Sequence, residues 1–170
     1  QEECHQGLRD ALHAAGAILG GGGQAVDAVV AAVRSLEDNP HFNAGRGAVL
    51  TASGTAELDA SVMDGRDGAA GAVTNIKTIK NPVCAAEVVM RHSPHTLMAG
   101  NGAEELARQY ELEVVANDYF YTKERQEALE KVKSKAQGAE IGGGVGTVGA
   151  VALDWYGNLA AATSTGGLTN

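Results

Sequence analysis

The run Gly144-Val145-Gly146-Thr147-Val148-Gly149-Ala150-Val151-Ala152-Leu153-Asp154 joins two textures that differ sharply. Upstream, from Thr122 to Gly146, Lys123, Glu124, Arg125, Glu127, Glu130, Lys131, Lys133 and Lys135 leave only Leu129 and Val132 to bury. That composition predicts an exposed helix feeding a mobile glycine-rich tail. Downstream, Thr147 to Leu153 and Leu159 to Thr163 are apolar, and Asp154-Trp155-Tyr156-Gly157-Asn158 between them has the length and residues of a hairpin turn. Their near-continuous apolarity predicts strands buried on both faces.

Working back from this hairpin, Ala48 to Thr51, Glu57 to Met63 and Ala69 to Thr74 read as further short strands of a small antiparallel sheet. Ala52-Ser53-Gly54 and Asp64-Gly65-Arg66-Asp67-Gly68 separate them. Cys4, Leu8, Ala11, Leu12, Ala15, Ile18 and Leu19 have helical spacing that stops at Gly20 to Gly23. Val26, Val29, Val30, Val33 and Leu36 repeat it until Asp38-Asn39-Pro40. Asn81-Pro82 predicts the capped start of a helix over Val83 to Met90, ending before Ser93-Pro94. Asn101 with Glu104 predicts a capping pair for another helix, Ala103 to Tyr110. The expected organisation is one partial domain over 1–170: a core to residue 121, an exposed linker over 122–146, and a third part over 147–170.

A chain of 170 residues, 44% hydrophobic, can bury one sizeable core. Its formal charge of -8 repels phosphate backbones and anionic lipid, which argues against nucleic acid or a membrane as partner. Cys4 and Cys84 lie far apart and form no CxxC, so a reducing, cytoplasmic setting is expected, with no leader peptide and no membrane-spanning run.

Most candidate sites fail on chemistry. Gly20 to Gly23 follows a helix rather than a strand, and Gly142 to Thr147 lacks a phosphate-loop lysine. Pro94 between His92 and His95 disfavours a helix that would bring both imidazoles to one metal. The loop at Asp64 lacks the ligands and closing glutamate of a calcium loop.

At Gly146-Thr147, a hydroxyl opens a strand directly after a glycine that tolerates unusual backbone conformations. The Thr147 hydroxyl could attack the Gly146 carbonyl, shift the acyl group from nitrogen to oxygen, and let water release the upstream chain. A free α-amine, with an ordinary pKa of ~7.7 to 8.0, would then serve as base for its own hydroxyl. Taken alone, a threonine opening a strand is far more often an ordinary strand former than a nucleophile. The second strand adds weight, because it ends Ala162-Thr163-Ser164-Thr165-Gly166-Gly167, where an antiparallel hairpin would face Thr165 toward Thr147.

The segments at 146–154 and 162–167 resemble those of the plant-type (type 2) L-asparaginase and isoaspartyl peptidase family of N-terminal-nucleophile hydrolases. So, in order, do Leu36-Glu37-Asp38-Asn39-Pro40, Phe42-Asn43-Ala44-Gly45, and Glu57-Leu58-Asp59-Ala60-Ser61-Val62-Met63-Asp64-Gly65. The resemblance covers nearly the whole chain. It implies an α/β (α+β) four-layer αββα sandwich, incomplete in this chain, and cleavage between Gly146 and Thr147. It further implies Thr147 as nucleophile, Thr165 as the threonine that orients it, Asn43 as a polar lining residue, and Gly166 and Gly167 as a loop on the substrate side. No catalytic cofactor is implied, only a structural sodium on the backbone carbonyls of Leu36, Glu37, Asn39, Phe42, Ala44 and Arg46. The implied substrates are L-asparagine and isoaspartyl peptides, and the implied assembly is a dimer of cleaved αβ units.

Glycine before the nucleophile sets the chain apart from glycosylasparaginases and the taspase protease, which it resembles less because they carry aspartate there. The resemblance also implies an earlier strand with a His-Gly-Gly loop, and later Arg, Asp and Thr-Gly groups that clamp substrate and stabilise the oxyanion. Without these, residues 1–170 alone are expected to be inactive. A truncated, noncatalytic homologue acting as a binding or regulatory subunit, and a purely structural domain, remain alternatives.

Overall fold

The computed structural model describes residues 2–135 and 146–168. The chain order is α1 (Glu2–Gly20), α2 (Ala25–Glu37), β1 (Leu58–Asp64), β2 (Ala70–Ile76), α3 (Pro82–His92), β3 (Leu97–Ala99), α4 (Gly100–Gln109), a short 3-10 turn (Asn117–Phe120), α5 (Lys123–Lys135), β4 (Val148–Leu153) and β5 (Leu159–Thr165). The strands form one sheet ordered β3-β2-β1-β5-β4. The β1–β2, β1–β5 and β5–β4 pairs are antiparallel, whereas β2–β3 is parallel. The sheet is therefore mixed rather than wholly antiparallel.

Burial alternates along the central strands, which places one sheet face in the core. Leu58, Ala60 and Val62 of β1 and Ala160, Ala162 and Ser164 of β5 point toward the helices. On that face α2 covers β4 and β5, and α3 covers β1 and β2. Val26, Val29, Val33 and Leu36 of α2 are buried, and α1 packs on α2 from outside. The opposite face is open: Val151 is 82% exposed, Leu159 61% and Met63 50%. The expected burial of both faces of the hairpin thus does not hold among the described residues. They supply one sheet and one helical layer, and the other two layers of the expected sandwich are not among them.

Other expectations need correction. Ala48 to Thr51 is not a strand; Leu50 makes only an isolated bridge with Ala56, although Ala48, Val49 and Leu50 are buried. Their apolar side chains are buried by loop packing rather than by pairing in the sheet. Asn81 holds the N-cap position of α3 and Pro82 opens the helix, as expected, but the Asn81 side chain makes no capping bond; its amide donates to Asp38 Oδ1 at 3.0 Å. The cap is Glu37 Oε1, which accepts the Val83 N–H at 2.9 Å. Asn101 and Glu104 form no capping pair. α4 starts at Gly100, and Glu104 instead accepts from the N–H groups of Lys77 and Thr78 and from the Thr78 hydroxyl. The helix expected after Thr122 is present as α5, with Leu129 buried, while the predicted glycine-rich tail lies outside the described residues. No helix among them is long and apolar enough to cross a membrane.

Candidate active site at the head of β4

Register fixes the geometry around Thr147. Val148 pairs with Ser164 and Gly149 with Thr163, so continuing one step sets Thr147 opposite Thr165. Thr165 in turn pairs with Asp59 on β1. By alternation Thr147, Thr165 and Asp59 belong to the open face, while Val148, Ser164 and Ala60 face the helices. Thr147 is exposed and follows Gly146, whose φ of +107° lies where residues with a side chain are strained. The Thr147 side chain makes no hydrogen bond to another described residue. Thr165 Oγ1 accepts the Gly167 N–H at 3.0 Å, not a bond from Thr147.

Asn43 reaches the same corner from the loop after α2 and is almost fully buried. Its amide donates to Gly167 O at 2.8 Å, its Oδ1 accepts the Val49 N–H at 2.9 Å, and its carbonyl accepts the Gly166 N–H at 3.1 Å. A Cβ on Gly166 would sit 2.7 Å from Asn43 Oδ1 and 2.6 Å from Ala48 Cβ, so only glycine allows this approach. The structure thus brings Asn43, Thr165, Gly166 and Gly167 together, with Thr147 on the neighbouring strand.

The six carbonyls named for sodium belong to Leu36, Glu37 and the loop that follows. Those of Leu36, Glu37 and Asn39 already accept the N–H groups of Asn39, Arg46 and Phe42, whereas those of Phe42, Ala44 and Arg46 accept none among the described residues. Gly45 and Gly47 turn the loop with φ of +50° and +96°. An all-oxygen, uncharged donor set with unsaturated carbonyls fits a hard monovalent cation. No group of three or more His, Cys, Asp or Glu side chains among the described residues is arranged for a metal. The cleft of about 550 Å³ between α2 and α3, lined by Asp27, Arg34, Asp38, Cys84 and Glu87 among others, shares no residue with the threonine site. Burial pushes the Cys84 thiol up to about 12, which keeps it protonated and a poor nucleophile.

Three polar side chains near the site were not singled out in the sequence, where Glu37 was named only for its backbone carbonyl. Glu37 continues the buried face of α2, four residues beyond Val33, which was a usable signal. Asp154 Oδ2 accepts the Ala25 N–H at 3.2 Å and ties the hairpin turn to the start of α2. Asp59 Oδ1 accepts the Thr74 hydroxyl at 2.6 Å and the Asn75 N–H at 3.0 Å. For the last two, only strand register and long-range packing identify the partner.

Helices layered on one face of a mixed sheet, with a hydroxyl residue after glycine at the head of a strand, define an α+β domain of the layered type. The chain belongs to the asparaginase family, whose model, described as Asparaginase, matches residues 1–170. It is 46% identical to the mouse isoaspartyl peptidase/L-asparaginase over 100% of this chain and 53% of that protein. It is 45% identical to the human isoaspartyl peptidase/L-asparaginase, over 100% of this chain and 56% of that protein. With the isoaspartyl peptidase of Salmonella typhimurium it shares 47% identity over 97% of this chain and 55% of that one. The chain therefore spans about half the length of the curated relatives it matches.

Proposed function

We propose that the whole protein is a self-cleaving threonine amidohydrolase acting on L-asparagine and isoaspartyl peptides. The observation that carries this reading is the β4–β5 register, which sets Thr147 against Thr165 beside Asn43 and the Gly166–Gly167 turn. The names of the relatives supply the substrate class.

In the activating step Thr147 Oγ adds to the Gly146 carbonyl carbon, the amide C–N bond breaks, and the Thr147 nitrogen becomes an amine. Water then hydrolyses the resulting ester, giving a Gly146 carboxylate and a free Thr147. In turnover the same oxygen attacks the side-chain carbonyl of the substrate, with the Thr147 α-amine accepting the hydroxyl proton. Ammonia leaves from asparagine, or an amine from an isoaspartyl peptide, and water releases aspartate. Cleavage would not free the two pieces, because β5 stays hydrogen-bonded to β1 along six residue pairs. A dimer of such αβ units, in the cytoplasm, completes the reading.

Sodium on the Phe42, Ala44 and Arg46 carbonyls would fix the loop that carries Asn43. Replacing sodium by choline is expected to lower the melting temperature; an unchanged value would remove the ion from the reading.

The central test is intact mass spectrometry of the whole protein over several days beside Thr147→Ala. Two fragments meeting at Gly146 and Thr147 in the wild type alone, with ammonia released from asparagine, are expected. A single uncut mass in both would leave a noncatalytic homologue.

A further inference from the structure

Asp59 lies two strands from Thr147 on the same sheet face, with Thr165 between them. Its Oδ1 is committed to Thr74 and Asn75. Those bonds form at an irregularity in β1–β2 pairing between Leu58 and Ala60, where Asn75 takes a φ of +56°. Asparagine takes that left-handed conformation more readily than other residues with a side chain. Here it aims the Asn75 N–H at Asp59 and fixes the carboxylate, while Oδ2 makes no hydrogen bond to a described residue.

A hydroxyl has one hydrogen to donate and two lone pairs to accept with. One lone pair of Thr165 Oγ1 is taken by the Gly167 N–H, and its hydrogen has no acceptor among the described residues. Asp59 and Thr165 make no hydrogen bond as they stand, but directly opposed residues on antiparallel strands hold their Cβ atoms about 4.5 to 5.5 Å apart, so a side-chain rotation, without a backbone move, brings Asp59 Oδ2 to that hydrogen.

We propose that Asp59 is a positioning residue for the Thr147 chemistry: Oδ2 accepts the Thr165 O–H and leaves one Thr165 lone pair to face Thr147. Thr147 is then the donor in that contact, through its hydroxyl before cleavage and its α-amine afterwards. Asp59 touches neither substrate nor nucleophile and acts through Thr165. The inference rests on the function proposed above.

Asp59→Asn separates this role from a structural one. Its Oδ1 can still accept from Thr74 and Asn75, but an NH2 replaces Oδ2, donates to Thr165, and turns the Thr165 hydrogen toward Thr147. In the whole protein Asp59→Asn is expected to melt with the wild type, while self-cleavage and kcat fall on the order of 10- to 100-fold with KM little changed. In a Thr165→Val background the same change should have little further effect. Wild-type rates in Asp59→Asn overturn the inference. So does a rate loss that tracks a lower melting temperature or a failure to fold, or a full further loss on top of Thr165→Val. An uncut, inert wild type would overturn the proposed function and this inference with it; a cut, active wild type beside an equally active Asp59→Asn overturns the inference alone.

Discussion

Glu37 is fully buried, and neither its Oε2 nor the nearby hydroxyl of Ser164, the residue before Thr165, has a hydrogen-bond partner among the described residues. Burial pushes the carboxyl up to about 8, against the lowering effect of the Val83 N–H that it accepts. Below its ordinary value of 4.5 the group is protonated whether the chain is folded or not. Between 4.5 and about 8 the folded chain keeps a proton that the unfolded chain releases, so rising pH favours unfolding. The stability tied to Glu37 is thus full below the unfolded value and lost by about pH 8, on the order of a few kcal/mol in all. Glu37→Gln retains an acceptor for the Val83 N–H and a donor for Ser164 without titrating. The melting temperature of the wild type should fall between pH 5 and 8 relative to that of Glu37→Gln, and parallel curves would show that Glu37 stays ionised in the fold.

At the scale of elements, what the sequence made legible is what local spacing and turn chemistry determine. α1 and α2 follow from the helical spacing of their apolar residues, and their ends from Gly20 to Gly23 and Asp38 to Pro40. The β4–β5 hairpin follows from its turn, and with it the pairing direction that brings Thr165 to Thr147. Elements held by distant partners were not legible. The three residues of β3 pair in parallel with β2 across all of α3, and nothing local distinguishes Leu97–Ala99 from a loop. Gly71 is a strand position in sequence, but a Cβ there would meet the backbone of Ala86 and Met90, so it marks the closest approach of β2 to α3. Neither predicted cap forms a side-chain capping bond because tertiary partners won: the Asn81 amide donates to Asp38, and Glu104 accepts from the Lys77 and Thr78 N–H groups. The site divides in the same way. Thr147 and Thr165 could be read from one hairpin, Asn43 came through resemblance, and Asp59 needed the register of three strands.

Across the whole molecule, the open sheet face sets the expectation for residues 1–170 produced alone. Met63, Val151, Leu153 and Leu159 are each half exposed or more, and pairing of Met63 and Val151 with Ala161, and of Leu153 with Leu159, makes them one contiguous surface. β4 also ends the sheet, so its outer backbone groups have no neighbouring strand among the described residues. An apolar face next to an unpaired edge is the arrangement that drives strand-to-strand and face-to-face association. Thr147, the nucleophile of the proposed function, stands at one end of that face. Residues 1–170 alone should therefore elute in light-scattering chromatography well above the mass of one 17.4 kDa chain and bind a hydrophobic dye. Val151→Lys with Leu159→Lys, both on exposed positions, should shift the fragment toward monomer without altering the helix-side core. A fragment that is already monomeric and dye-free would mean that this face tolerates water as it stands, and that Thr147 needs no covering layer to keep its surroundings ordered.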